Sequence, residues 1–288
     1  MIWPVFSFLN AFFESAKDVV SKHNLKNLDE YTIALSLNLF SLPFLFPVLF
    51  FTKIPHLGPN FLPALLIGGI LNVITSILYM KAIKESDLSI TTPLLAFTPL
   101  FLLVTSPLIV KEFPSALGLV GVVLIVAGSY ILNIAERHKG FLAPFEALIS
   151  QPGARLMLIV AFIWSITSTI DKIGVLNSSP IFWPTAIRTF ITIGLLITII
   201  LIPKRNLREI SIKNFKVLVP IGLFAALSLI FQMTAISLTL VAYVISFKRT
   251  SVLMNVFAGH YFFKEKGLKE RLAGAAIMIL GVVLITLS

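Results

Sequence analysis

Ten apolar runs, each about as long as a bilayer is thick, divide this chain almost from end to end. Their approximate limits are 2–22, 31–51, 60–83, 87–109, 114–133, 154–174, 181–202, 214–236, 239–262 and 268–287. A helix needs about 20 mainly apolar residues to cross roughly 30 Å of hydrocarbon. A membrane barrel would instead need strands of about 10 residues with alternating polarity, and these runs are apolar all round. The pattern predicts an all-α integral membrane protein with ten spans. Composition agrees: 12% of residues are charged and 57% are apolar. A soluble domain carries about 25% charged residues, and half that number cannot coat a surface of this size.

The net charge of +10 would point to nucleic acid in a soluble protein. Here the cations collect in short loops between the runs, where they set membrane topology, so no nucleic-acid partner is expected. There is no cysteine, which excludes disulfides, thiolate metal sites and thiol nucleophiles. The first run, from Ile2, lacks a basic leader and a small-residue cleavage site, so it reads as a retained span.

The chain repeats itself at an offset of 153 residues. MKAI at 80–83 falls on MTAI at 233–236, and Lys111-Glu112 falls on Lys264-Glu265. Gly121 and Gly128 fall on Gly274 and Gly281, Gly69 on Gly222, Asn24 on Asn177, and Ser15 and Asp18 on Ser168 and Asp171. One register satisfying landmarks from the first run to the fifth marks an internal duplication. Two five-span repeats are expected, 1–133 and 154–288, joined by an interfacial linker at 134–153. Five is odd, so the two copies cross the membrane in opposite senses. Such inverted-topology repeats place a working site between the halves, near the bilayer midplane.

Call the side carrying both termini side A. Its loops hold Lys53, Lys111 and Lys172. The loops of side B hold Lys22, Lys26, Lys81, Lys84, Arg137, Lys139, Arg155, Lys204, Arg205, Arg208, Lys213, Lys216, Lys264, Lys266, Lys269 and Arg271. The positive-inside rule then puts side B in the cytoplasm and both termini outside.

Two stretches carry a family resemblance. They are SITTPLLAFTPLFLLVTSPLIVKEFPSALGLVGVVLIVAGSYIL at 89–132 and AYVISFKRTSVLMNVFAGHYFFKEKGLKERLAGAAIMILGVVLI at 242–285. Each resembles the end of an EamA domain: a span, a short loop with a Glu, and a Gly-containing last span. Glu112 with Gly121 and Gly128, and Glu265 with Gly274 and Gly281, occupy those places. The chain resembles, over nearly its whole length, an EamA-type member of the drug/metabolite transporter superfamily. The resemblance implies a ten-helix carrier of small metabolites, often an exporter, with substrates ranging over amino acids, nucleosides, sugars and drugs. It also implies both termini in the cytoplasm, against the loop count.

Charges inside the membrane are costly and usually face a cavity or a partner. At 1.5 Å per residue, Lys248 and Arg249 fall roughly 14–15 Å from side A, near the midplane. Glu14 falls roughly 18 Å from side A, Asp18 lies one turn deeper, and Arg188 sits about 10 Å in. Asp171 and Lys172 fall within about 5 Å of side A, where water is expected to reach them. Under the repeat, Lys248 and Arg249 map to Leu95 and Ala96, so the pair belongs to one half only. Helical spacing puts Lys248, Ser251, Asn255 and Gly259 on one face, with Arg249 about 100° away. In the counterpart run, Pro93 and Pro99 are expected to bend the helix and free carbonyls toward a cavity.

Three roles for Lys248 and Arg249 stand side by side: a structural ion pair with Glu14 or Asp18, contact with an anionic substrate group, or both by turns in the cycle. Tyr243, Phe97 and Trp164 are expected to cover an apolar part of the substrate. Glu14 and Asp18 are expected either to pair with Lys17 on their own helix or to titrate in proton coupling. Arg188 is expected to meet Asp171. The glycines at 121, 128, 274 and 281 read as close-packing positions. Glu112 and Glu265 read as carboxylates favouring the dipole of the helices that follow them.

The expected function is a secondary carrier working by alternating access, with a small-molecule substrate, the lipid bilayer as its medium, and a monomeric or homodimeric state in the cell membrane. No cofactor or metal is called for, and catalytic constellations are missing: His23, His56, His138 and His260 are scattered, and no HExxH occurs. A nucleotide-driven pump is excluded on this chain, since no GxxxxGK[ST] occurs. The alternative readings are a non-transporting structural or receptor-like membrane protein, against which the midplane charges argue, and last an intramembrane enzyme.

Overall fold

The computed structural model describes residues 2–24, 30–52, 54–85, 92–135, 142, 145–146, 150–201, 215–263 and 268–288. Among them the protein is all-helical. In chain order the elements are α1 (Trp3–Asn24), α2 (Glu30–Leu39), α3 (Leu42–Phe50), α4 (Phe61–Glu85), a 3₁₀ segment (Thr92–Phe97), α5 (Thr98–Val110) and α6 (Ala116–Ala135). Then follow α7 (Pro152–Leu176), α8 (Phe182–Leu201), α9 (Phe215–Leu238), α10 (Val241–Lys248), α11 (Ser251–Phe263) and α12 (Leu268–Thr286).

The offset read from the sequence recurs in the element boundaries. Adding 153 to the limits of α5, 98 and 110, gives 251 and 263, the limits of α11. The same addition takes α4, 61–85, to 214–238, against 215–238 for α9. Four stretches are long and apolar enough to cross a membrane among the described residues: Phe61–Ala82, Pro152–Leu176, Phe182–Leu201 and Leu218–Leu238. Other expected spans are interrupted. The run at 31–51 is two helices, parted at Phe40 and Ser41. Pro43 stands at the start of α3 and Pro47 lies inside it; Pro43 has no N–H to offer the Leu39 carbonyl and its ring crowds that oxygen, and α2 ends at Leu39. The counterpart run keeps Pro184 in the first turn of α8 and stays unbroken. α1 has the length but carries Glu14, Lys17, Asp18 and Lys22.

The chain divides into two compact units that cut across the sequence halves. One is Met1–Ser76 with Ile170–Leu238; the other is Ile77–Thr169 with Thr239–Ser288. In the first, α1 lies antiparallel to α9 along an aromatic ladder. Phe6 meets Phe231 at 6.2 Å, Phe13 stacks on Phe231 at 5.6 Å, and Phe13 meets Phe224 at 6.1 Å. Such pairs add about 0.5–1.5 kcal/mol each beyond area burial.

In the second unit α6 lies antiparallel to α12 through the four glycines. A Cβ on Gly121 would stand 2.8 Å from the Gly281 carbonyl oxygen, and one on Gly128 would stand 2.6 Å from that of Gly274. The clashes are reciprocal, with Gly281 against Gly121 and Gly274 against Gly128. Backbones this close gain van der Waals contact that any side chain would forfeit, which is how helices associate where lipid replaces water. The close-packing role expected of these glycines is what the structure gives. Elsewhere in this unit Ala82, Leu94, Ala154, Met157 and Val160 form a dry cluster, with Phe97, Tyr79 and Trp164 packed against it.

Candidate functional site

The first unit holds a polar cluster inside otherwise apolar helices. On α1, Ser7, Asn10, Glu14 and Lys17 follow steps of three, four and three, one face of a helix. Lys17 Nζ donates to Glu14 Oε1 at 2.7 Å and lies 3.7 Å from Asp18 Oδ1. The expected same-helix pairing with Lys17 is therefore present for both carboxylates. From α9, the Ser228 hydroxyl lies 2.8 Å from Asn10 Oδ1 and 2.9 Å from Glu14 Oε2. A hydroxyl has one proton, so it serves one of these two acceptors at a time.

Arg188 on α8 donates from a guanidinium nitrogen to Asn38 Oδ1 at 2.6 Å. Asn38 in turn donates to the Ala34 carbonyl at 2.7 Å, just ahead of the α2–α3 break. Asp171 and Glu14 are both electrostatic neighbours of Arg188. Asp171 Oδ1 accepts the Trp183 indole N–H at 2.8 Å. Lys172 departs from expectation. It was placed where water reaches it, yet it is buried and its Nζ donates to the Ile236 carbonyl at 2.6 Å. It satisfies one of the orphan carbonyls in the last turn of α9, a favourable place for a cation. Length counting missed this because it ignores what packs over a helix end.

The cation pair lies in the second unit. α10 ends at Lys248 and α11 begins at Ser251. Between them the hydrogen bonds tighten to i→i+3: Arg249 N–H to Ser246 O at 3.0 Å, Thr250 N–H to Phe247 O at 2.9 Å and Val252 N–H to Arg249 O at 3.1 Å. The run is thus not one continuous α-helix, as the face containing Lys248, Ser251 and Asn255 assumed. Residues i and i+3 eclipse in a 3₁₀ turn, so Ser251 still follows Lys248 along the same line. Lys248, Arg249 and Asn255 are half-buried and Ser251 is buried. The surroundings of Gly259 and the side chain of His260 lie outside the described residues, as do Glu265 and most of the loop cations.

The counterpart stretch breaks in the same register. A 3₁₀ segment runs to Phe97 and α5 starts at Thr98, with Pro99 in its first turn. The bend expected at the prolines is therefore a change of helix type. Thr98 Oγ1 donates back to the Leu95 carbonyl at 2.9 Å, as Thr250 Oγ1 does to Phe247 O at 2.8 Å. Among the aromatic residues expected around a substrate, Trp164 meets Tyr79 at 5.5 Å, and Phe97 meets Tyr130 at 5.9 Å and Phe145 at 5.8 Å. Tyr243 is 5% exposed and its hydroxyl accepts the Ser115 N–H at 3.1 Å. Its ring fills the space that Gly118 leaves open.

Glu112 also differs from its expected role. Helix α6, which follows it, starts at Ala116 and takes its cap from Ser115, whose hydroxyl accepts the Gly118 N–H at 3.0 Å. Glu112 instead accepts the Val241 N–H at 2.8 Å, at the first residue of α10. No local spacing signals a bond between residues 129 positions apart.

The sequence profile of the EamA-like transporter family matches residues 1–134 and again 151–287. The chain belongs to the EamA-like transporter family. It is accordingly a membrane protein of a transporter family, in line with its apolar helices. A solved crystal structure superposes on the transporter with a TM-score of 0.78, covering 99% of this chain and 97% of that one at 12% identity. At that identity the likeness speaks to the fold. Among curated protein sequences, none matches.

Proposed function

We propose that this transporter is a secondary carrier, an exporter of a small, partly apolar metabolite with an anionic group. It crosses the cell membrane ten times as two inverted five-helix repeats, 1–133 and 154–288, joined by 134–153, and alternates access to a midplane site between the repeats. Support for the inversion comes from α6 and α12: they are counterparts under the 153-residue offset, and they pack antiparallel through reciprocal glycines. The observation that carries the site is the interrupted helix at 248–251, because a half-buried cation pair stands where the counterpart break has Leu95 and Ala96. Lys248 and Arg249 would receive a carboxylate or phosphate, with Ser251 and Asn255 beside them and Phe97 and Trp164 against the apolar part. Tyr243 would support α10. Glu14, held by Lys17 and Ser228, is the carboxylate to exchange a proton, with Asp18 and Arg188 shaping its field. The carrier works as a monomer or homodimer.

Uptake into proteoliposomes over a panel of amino acids, nucleosides and organic anions, with and without a pH gradient, tests this. An anionic substrate should move in wild type and lose most of its flux in K248A and R249A. Normal flux in both variants would sink the anion site. Flux indifferent to the gradient, and unchanged in E14Q, would remove proton exchange.

A further inference from the structure

Helix α10 is short, buried and poorly equipped to start itself. Val241 through Phe247 are all buried. The residue at its N-cap is Leu240, in an extended conformation and with no side-chain cap bond. Capping normally needs Ser, Thr, Asp or Asn, whose oxygen takes an orphan N–H. Leucine has no such oxygen, and a buried N–H without an acceptor is costly.

The acceptor comes from far along the chain. Lys111, at the end of α5, adopts the left-handed conformation (φ 56°) and its N–H returns to the Ser106 carbonyl. That turn is unfavourable for a residue with a Cβ, yet it delivers Glu112 to α10. Glu112 Oε2 accepts the Val241 N–H at 2.8 Å and the Ser106 hydroxyl at 3.2 Å. Three residues on, the Ser115 N–H holds the Tyr243 hydroxyl at 3.1 Å. One short loop therefore grips the first turn of α10 at two points. The far end of α10, one rigid helix of about 12 Å away, is Lys248, followed by Arg249.

We propose that Glu112 is a positioning residue for the cation pair. It supplies the cap that Leu240 lacks, fixes where α10 begins, and so fixes where Lys248 and Arg249 stand. The carrier reading gives this placement its purpose; the placement itself is measurable without transport. The natural chain has no cysteine, so K248C makes a lone reporter in the full-length protein. Its rate of labelling by a water-soluble maleimide, in detergent, reads the position of the α10 end.

E112A should change that rate by about tenfold, the weight of a lost cap. E112Q should restore it to within about twofold, since its amide oxygen still accepts the N–H. The unrelated core truncation I285A, at a buried residue of the same unit, should lower Tm and leave the rate unmoved. Equal rates in E112A and parent overturn the proposal, as does an I285A effect as large as that of E112A. Should E112A not fold, E112D, one methylene too short, is set against E112Q: a rate shift in E112D alone supports positioning, and equal rates overturn it. Undiminished transport by both K248A and R249A would instead sink the anion site and leave the labelling result standing.

Discussion

The two helix breaks of the second unit share a geometry and differ in chemistry. After each, an α-helix starts at positions related by 153, Thr98 and Ser251, and at each a threonine hydroxyl, of Thr98 and of Thr250, returns to a carbonyl three residues back. At the first break Leu94 and Ala96 are buried, Leu94 in an apolar cluster with Met157 and Val160. At the second, Lys248 and Arg249 stand half-buried. The interruption is therefore a property of the duplicated scaffold, while the charge was added to, or kept in, one copy. Scaffold geometry tolerates either chemistry, so the cations are not what the bend requires.

Four changes test that contrast, in falling order of effect. A96R moves a cation into the first break, at a residue that is buried. Burying an unpaired charge is among the few single changes that cost more than about 4 kcal/mol. Thermal unfolding followed by circular dichroism should show a collapse of stability, and a normal Tm would mean that both breaks accept charge.

The glycine seam should behave in the opposite, symmetric way. G128V and G281V each put a side chain where a Cβ already meets a carbonyl oxygen of the facing helix, at 2.6 and 2.7 Å. Each should lose about 3 kcal/mol in the same melting assay. A large difference between the two would break the equivalence of the copies at α6 and α12.

The converse of A96R is K248L/R249A, which gives the second break the residues of the first. Transport of an anionic substrate should fall about a hundredfold, or ~2.7 kcal/mol, measured as initial flux. Retained flux would make the pair structural. The smallest effects belong to T98A and T250A. Each deletes one back-bonded hydroxyl and should cost about 1 kcal/mol, alike at both breaks by unfolding midpoint.

Much of the fold was legible before any coordinates. Apolar runs of bilayer length dictate helices, because lipid offers a backbone no hydrogen-bond partner. The duplication was legible from landmarks such as the Lys-Glu pair and the glycines, and the glycines even announced the seam. The α2–α3 break was partly legible in Pro43 and Pro47, yet two prolines in an apolar run fit a kinked single helix equally well. Pairing was less visible. Lys17 with Glu14 lies within one helical turn, so spacing alone reveals it. Arg188 with Asn38, Ser228 with Glu14, and Lys172 with Ile236 join helices far apart in sequence, and helical periodicity carries no information about which helices meet.

Glu112 marks that boundary most sharply. The sequence places a carboxylate just ahead of a helix, and the local rule assigns it to that helix. Tertiary structure gives it to α10, because Ser115 already caps α6 while Leu240 cannot cap α10. By itself, then, the sequence determined the medium, the helical class, the duplication and the residues that carry charge. What only the tertiary structure decided is which distant partner each polar group found, since most buried donors and acceptors are satisfied, and for these groups satisfaction is settled across helices.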